Sequence, residues 1–203
     1  MKTPISPKIS LERLRHVAAQ HFDIRIASDG RWYHDGDEIR RIELVKLFAS
    51  ILVRDDDGDY WLATPAEKGR ITVDEAPFII RDMTVKTGAR SWQNEICFQS
   101  NIDETVMLDI KHPLQLRAAA QSPDLRPYIE VRDGLLAKLS RPVYYQLADY
   151  AEVGPDGRLG VWSHNQFFSL EACCPACLII QALQQPTLCK SPIWICNSVL
   201  VPV

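Results

Sequence analysis

Residues 60–78 hold the densest group of side chains in this chain that could do recognition chemistry. Thr64, Glu67, Lys68 and Arg70 sit together in a polar stretch between two apolar, β-prone runs. Two cations beside a hydroxyl and loop amides can hold a phosphate, Arg through planar bidentate contacts and Lys as a mobile point charge. The plainer alternative is a solvated hairpin whose ion pair contributes about 0–1 kcal/mol. Arg132 and Arg141 flank a comparable turn later in the chain. Arg141 precedes Pro142 at a helix start, where backbone amides and the helix dipole already favour an anion. Tyr144 and Tyr145 follow within a turn, placed either to stack on a base or to pack as amphipathic core residues. The expected ligand contacts are therefore Thr64, Glu67, Lys68, Arg70, Arg132, Arg141 and Tyr144, and the expected ligand is a small phosphorylated or nucleotide-like anion.

Catalytic chemistry has no comparable signature. His16, His21, His34, His112 and His164 are dispersed, with no triad or metal spacing. Ser163-His164 lacks the Gly-x-Ser-x-Gly elbow of a nucleophile. Asp55, Asp57 and Asp59 resemble a calcium loop, but its sixth position is Tyr60 rather than Gly and its twelfth Ala66 rather than Glu. No Gly-rich phosphate loop and no His-Glu-x-x-His motif is present. The sequence assigns no catalytic residue, metal or cofactor, and favours a binding or regulatory module. The alternatives are a hydrolase or transferase with an unidentified base, and a protein-interaction scaffold.

Composition narrows the partners. The 203 residues are 46% hydrophobic and 24% charged, with a net charge of −3. That balance fits a globular protein and gives no field to draw it onto nucleic acid or an anionic membrane. No apolar run approaches the roughly 20 residues of a spanning helix. The first ten residues lack the apolar run of a secretory signal, so a cytoplasmic location is expected. Cys97 is the only cysteine before residue 173, which excludes a disulfide framework there.

Local signals organise the chain. Ser10 can cap an amphipathic helix reaching about Gln20, with Leu11, Leu14, Val17 and Ala18 on one side. Five of nine glycines follow aspartate, at Gly30, Gly36, Gly58, Gly134 and Gly157, as tight hairpin turns prefer. A helix is expected over residues 38–52, where Ile42, Val45, Phe48 and Leu52 recur at helical spacing. A second is expected after Ser140, carrying Val143, Leu147 and Ala151. The Asp-Gly turns before the two helices lie 104 residues apart (133 minus 29) and those after them 99 apart (156 minus 57). Two duplicated strand-strand-helix-strand units would produce this pattern, as would the frequency of Asp-Gly in hairpins. The expected fold is α+β with largely antiparallel sheets, divided into residues 1–20, 21–85, 86–169 and 170–203. Trp32, Trp61 and Trp92 are expected core anchors.

The last segment differs in kind. Residues 170–203 carry Cys173, Cys174, Cys177, Cys189 and Cys196 but only two charges, Glu171 and Lys190. Cys174 and Cys177 with Cys189 and Cys196 could offer four thiolates to zinc, but the six residues between the second pair exceed the usual knuckle. A lineage-specific extension or a reading-frame change explains the shift better.

Several strings occur in order that resemble a bacterial family, domain of unknown function 1285. They are Asp29-Gly30-Arg31-Trp32-Tyr33-His34, Leu44-Val45-Lys46-Leu47-Phe48-Ala49-Ser50, Thr64-Pro65-Ala66-Glu67-Lys68, Ile71-Thr72-Val73-Asp74-Glu75-Ala76-Pro77-Phe78 and Arg141-Pro142-Val143-Tyr144-Tyr145. The resemblance covers about residues 20–168. It implies two domains with internal duplication, the second loosely similar to pleckstrin-homology folds. It also implies a nucleotide-like ligand at the domain interface and a role in signal transduction, with no established activity. Two features depart from it: the order Asp74-Glu75, and everything after about Leu170.

Overall fold

All five Asp-Gly pairs form turns in the computed structural model, which describes residues 18–119 and 122–171. At Asp35-Gly36 and Asp133-Gly134 the aspartate is left-handed as well, with φ of 51° and 42°. Two successive positive φ values define the primed turn whose twist matches paired strands.

The first sheet is built from β1 (Ala19–Ile26), β2 (Trp32–His34), β3 (Asp37–Glu38), β4 (Leu52–Arg54), β5 (Tyr60–Ala63) and β6 (Lys68–Val73), with α1 (Ile42–Ser50) between β3 and β4. Its order is β3-β2-β1-β6-β5-β4. β1 and β6 run parallel, and the other neighbours antiparallel. The second sheet contains β7 (Phe78–Lys86), β8 (Glu95–Ser100), β9 (Thr105–Met107), β10 (Leu114–Ala119), β11 (Ser122–Arg132) and β12 (Leu135–Leu139). Its order is β10-β11-β12-β7-β8-β9, again with one parallel pair, β7 and β12. After α2 (Arg141–Ala148) come β13 (Glu152–Val153), β14 (Leu159–Ser163) and β15 (Gln166–Ser169), a three-stranded antiparallel sheet. The chain is thus mostly β with two helices and mixed sheets.

Pairing registers recur between the first and third sheets. Trp61 opposes Arg70 and Leu62 opposes Gly69; 99 residues on, Gly160 opposes Ser169 and Val161 opposes Phe168.

Several boundaries move from their expected places. α1 starts at Ile42 rather than residue 38, because Asp37 and Glu38 pair with β2, and it ends before Leu52, which opens β4. Ala19 and Gln20, expected at the end of a helix, lie in β1 beside Lys68 and Gly69; residues 1–17 fall outside the described residues. β7 pairs with β8 and β12, so the chain passes between sheets at residues 74–77 rather than near 86. The cysteine-rich segment also lies outside the described residues, apart from its first two positions.

One apolar cluster runs through both large sheets, joining Ile26, Trp32 and Leu62 to Phe78, Phe98 and Ile129. Trp32 is an anchor as expected, at 1% exposure. Trp61 is half-buried and donates its indole N–H to Asp55 at 2.7 Å. Trp92 is a correction: it is 39% exposed, with the Arg90 guanidinium 4.9 Å from its ring centre.

Polar ties cross the same seam. The Asn101 side chain accepts the Ile79 N–H and donates to the Gly30 carbonyl, both at 3.0 Å. Arg132 grips Glu104 at 2.6 Å and donates to the Ala49 carbonyl at 2.7 Å, so a distant cation caps the end of α1. Glu75, in the crossover, is a heavily bonded carboxylate. It accepts from Arg126 at 2.8 Å, Tyr128 at 2.7 Å and Lys138 at 2.6 Å, and its side chain is 9% exposed. Burial pushes the Glu75 carboxyl up, but bonds from Lys138, Tyr128 and Arg126 more than reverse this and hold it below the ordinary range. Its neighbour Asp74 is held low chiefly by the hydrogen bonds of Arg25, at 2.9 and 2.6 Å.

Two stability predictions follow from these contacts. Glu75→Gln leaves the Lys138 ammonium without its carboxylate and should destabilise the fold by about 3 kcal/mol at pH 7 in urea unfolding. Because the folded pKa of Glu75 is depressed, its contribution is complete above the ordinary carboxylate range and is lost as pH falls through the folded value. The wild-type urea midpoint should therefore fall below about pH 4.3 more steeply than that of the variant. Separately, a Cβ on Gly69 would lie 2.1 Å from the Phe22 ring, so Gly69→Ala must displace that ring. It should cost about 1–3 kcal/mol by the same measurement.

Candidate functional site

β1 and β6 do not pair evenly. His21 opposes Arg70 and Arg25 opposes Thr72, so four residues of β1 advance against two of β6. A bulge of this kind bends a strand and re-aims its side chains. Here it lifts residues 22–24 away from β6, while the Phe22 ring lies against Gly69, where no side chain intervenes.

Beside the bulge is a cavity of about 410 Å³. That volume lies within the usual range for small-molecule sites. β1 supplies His21, Phe22, Asp23 and Ile24, and β2 supplies His34; Phe48 and Ile51 come from the end of α1, Leu62 from β5, and Thr64 and Glu67 from the turn into β6. The lining is two-sided in chemistry. Five side chains are apolar (Phe22, Ile24, Phe48, Ile51, Leu62), and five are polar (His21, Asp23, His34, Thr64, Glu67).

Local bonds fix the polar side. The Thr64 hydroxyl accepts the Glu67 N–H at 3.1 Å and the Thr64 N–H donates to the Glu67 carbonyl at 2.8 Å, closing the turn and holding the Glu67 backbone in place. Asp23 is held by its carbonyl, which accepts the Asp35 N–H at 3.1 Å. The carboxylates of Asp23 and Glu67 have no hydrogen-bond or ion-pair partner among the described residues. His34 Nδ1 lies 3.6 Å from Asp35, beyond hydrogen-bond distance. Among the described residues, no Lys or Arg lines the cavity. Among the described residues, no cluster of His, Cys, Asp or Glu is placed to hold a metal ion. The arrangement can enclose an apolar body and meet a polar or charged head.

Of the seven residues expected to contact ligand, Thr64 and Glu67 line this cavity and the other five do not. Lys68 Nζ lies 5.9 Å from the Trp61 ring centre. Arg70 is 2.5 Å from Asp59. Arg132 is committed to Glu104 and Ala49, with its guanidinium 5.3 Å from the Phe78 ring centre. Arg141 begins α2, and the Tyr144 and Tyr145 ring centres stand 6.4 Å apart on that helix. No shared cationic cleft appears among these contacts. The cations were legible in the sequence, but the acids and rings that engage them were not.

The sequence reading missed His21, Phe22, Asp23 and His34 as lining groups. The alternation His21-Phe22-Asp23-Ile24, polar then apolar, is the one available signal for a strand carrying both chemistries. The bulge that turns both faces toward one space depends on β6, 45 or more residues away, and no local pattern encodes it.

Residues 15–76 match the family described as domain of unknown function DUF1285, N-terminal domain, and residues 77–170 match the C-terminal domain of the protein of unknown function DUF1285. The junction of the two matches coincides with the crossover between the large sheets. A crystal structure of a DUF1285 family protein from Silicibacter pomeroyi DSS-3 is similar, with a TM-score of 0.72 and 32% identity over 84% of this chain and 90% of that one. A DUF1285 family protein from Shewanella baltica OS155 has 30% identity over 63% of this chain and 91% of that one, with a TM-score of 0.49. No curated protein matches the chain. With both family domains matched in order and a 32% identical relative spanned over most of its length, the chain belongs to the DUF1285 family.

Proposed function

We propose that this protein is a small-ligand-binding module with a regulatory role in bacterial signal transduction, acting in the cytoplasm. The observation that carries the reading is the cavity of about 410 Å³ beside the β1 bulge, lined by five apolar side chains and five polar ones, of which the Asp23 and Glu67 carboxylates have no partner among the described residues. Its position supports a regulatory readout. Phe48 and Ile51 on and after α1 form part of its lining, while Lys46 and Ala49 on the same helix bind Asp103 and Arg132 of the second sheet. A ligand that prefers one placement of α1 would bias the ties to the second sheet, because only differential affinity for two states moves an equilibrium. The nucleotide-like ligand expected from Lys68, Arg70, Arg132 and Arg141 has weaker support, since none of these four lines the cavity.

Duplication is part of the same proposal. The recurrence of strand register at an offset of 99 residues, from β5–β6 to β14–β15, supports descent of both halves from one unit. A likeness of the second domain to pleckstrin-homology folds has thinner support, in a sheet followed directly by the single helix α2.

A thermal-unfolding panel of nucleotides, phosphorylated metabolites and small amphipathic compounds tests the binding reading. A ligand at 100 times its Kd should stabilise the native state by about 2.7 kcal/mol and raise the midpoint. His34 lies at the rim on an exposed strand end, so His34→Trp should narrow the cavity with little change in the ligand-free midpoint and should abolish the ligand-induced shift. A folded protein that answers to no compound in the panel, or a variant that keeps the full shift, defeats the reading.

A further inference from the structure

We infer that the cavity selects cationic amphiphiles: a primary or secondary ammonium head at the rim, with an alkyl or aromatic body on the apolar floor. This rests on the cavity being the ligand site. It adds the charge and shape of the ligand.

Three observations lead to it. First, the carboxylates at the rim are unspent. Asp74 has Arg25 and Asp59 has Arg70, whereas Asp23 and Glu67 have no cation among the described residues. Unpaired carboxylates attract a positive group and repel a negative one, most strongly at low salt. Second, other lining groups complement the same head. The Thr64 hydroxyl, and a ring nitrogen of His21 or His34 that carries no proton, can accept N–H bonds from a primary ammonium, which has three donors and no acceptor. Third, the opposite wall can hold nothing polar. Phe22, Phe48 and Leu62 offer carbon surface only, and the flat Phe22 ring is held open by Gly69.

The rim carboxylate is also positioned before any ligand arrives. Glu67 closes the turn at Thr64 through its own N–H and carbonyl, so its backbone is fixed and only its side-chain rotamers remain to be ordered. Preorganisation of this kind strengthens binding by lowering what association must immobilise. A phosphate or carboxylate head would meet Asp23 and Glu67, and Asp35 beyond His34, with no cation among the described lining residues to offset them.

The test compares n-octylammonium, 1-octanol and n-octanoate below their micellar concentrations, by calorimetry on the full chain at low and at 0.5 M salt. The three share one apolar body and differ in head charge. Octylammonium should bind at least tenfold more tightly than octanol, octanoate more weakly than octanol, and the preference should shrink at high salt. Glu67→Gln and Asp23→Asn change exposed side chains, so both variants should fold with unchanged unfolding midpoints. Each should reduce the ammonium preference severalfold, and together they should erase it while leaving octanol affinity intact. Equal affinity of the wild type for octylammonium and octanol overturns charge selection but leaves the cavity as a binding site. An octylammonium preference over octanol that survives in the double variant, or octylammonium affinity that survives in His34→Trp, means binding elsewhere and overturns the inference. Failure of all three probes counts against both the inference and the cavity reading beneath it.

Discussion

The fold turns on a carboxylate that cannot afford to lose its partners. Glu75 lies in the short crossover between the two large sheets, with its side chain 9% exposed. Removing a carboxylate from water costs several kcal/mol unless hydrogen bonds and opposite charge replace the solvent. Here the replacement comes from β11 and β12, through Arg126, Tyr128 and Lys138. Lys138 also donates to the Ser28 carbonyl at 2.7 Å, in the turn between β1 and β2. The single acid thus fixes two strands of the second sheet against a turn of the first. Any separation of the sheets at this point would strand a buried charge. Ala76, next in the chain, packs with Tyr128 and Leu136 beside the cluster and excludes water from it.

A different set of contacts ties the sheets at α1. Its buried side, Val45 and Ala49, enters the continuous core, while Lys46 reaches Asp103 at 2.8 Å and the Ala49 carbonyl receives Arg132. α1 has no basic residue in its own last turn, so the cation that satisfies its end arrives from β11. Helix and second sheet therefore depend on each other. Phe48, on the same helix, stacks on Trp32 with ring centres 6.3 Å apart and also lines the cavity. The helix thus touches the cavity, the core and the polar seam together.

What could be read from the sequence follows the range of each interaction. Tight turns are local chemistry, and all five Asp-Gly glycines take the positive φ their neighbours implied. The helix periods find Val45 on α1 and Val143 and Leu147 on α2 as buried positions, since one residue's neighbours lie within two turns. Ile42, however, is 42% exposed, Leu52 lies in β4 and Ala151 follows the end of α2. Ser140 does precede α2, although its side chain makes no capping bond. Sheet membership is non-local, and there the reading failed. Residues 78–86 look like any β run, and only pairing with β12, some 59 positions later at Phe78 and Ala137, assigns them to the second sheet. The same holds for charge. Arg132 was visible as a cation near a turn, but whether it meets a ligand or Glu104 depends on where β8 and β9 deliver their loop.

The cavity is the clearest case of structure that no window of sequence contains. Parallel pairing of β1 with β6 demands a crossover, and the chain makes it through β2, β3, α1, β4 and β5. Over residues 22–24 the register with β6 is interrupted, while Ile24 still opposes His34 in β2. An irregularity of this size persists only where the surroundings over-determine it. They do so here from three sides. Gly69 gives the Phe22 ring a seat, the Asp23 carbonyl is taken by the Asp35 N–H, and Ile24 is buried against the core. An unbroken strand would bury the same Ile24 and Ile26 without opening a space or turning His21 and Asp23 toward it. The space beside β1 therefore comes from long-range pairing and packing, not from any local pattern in residues 21–24.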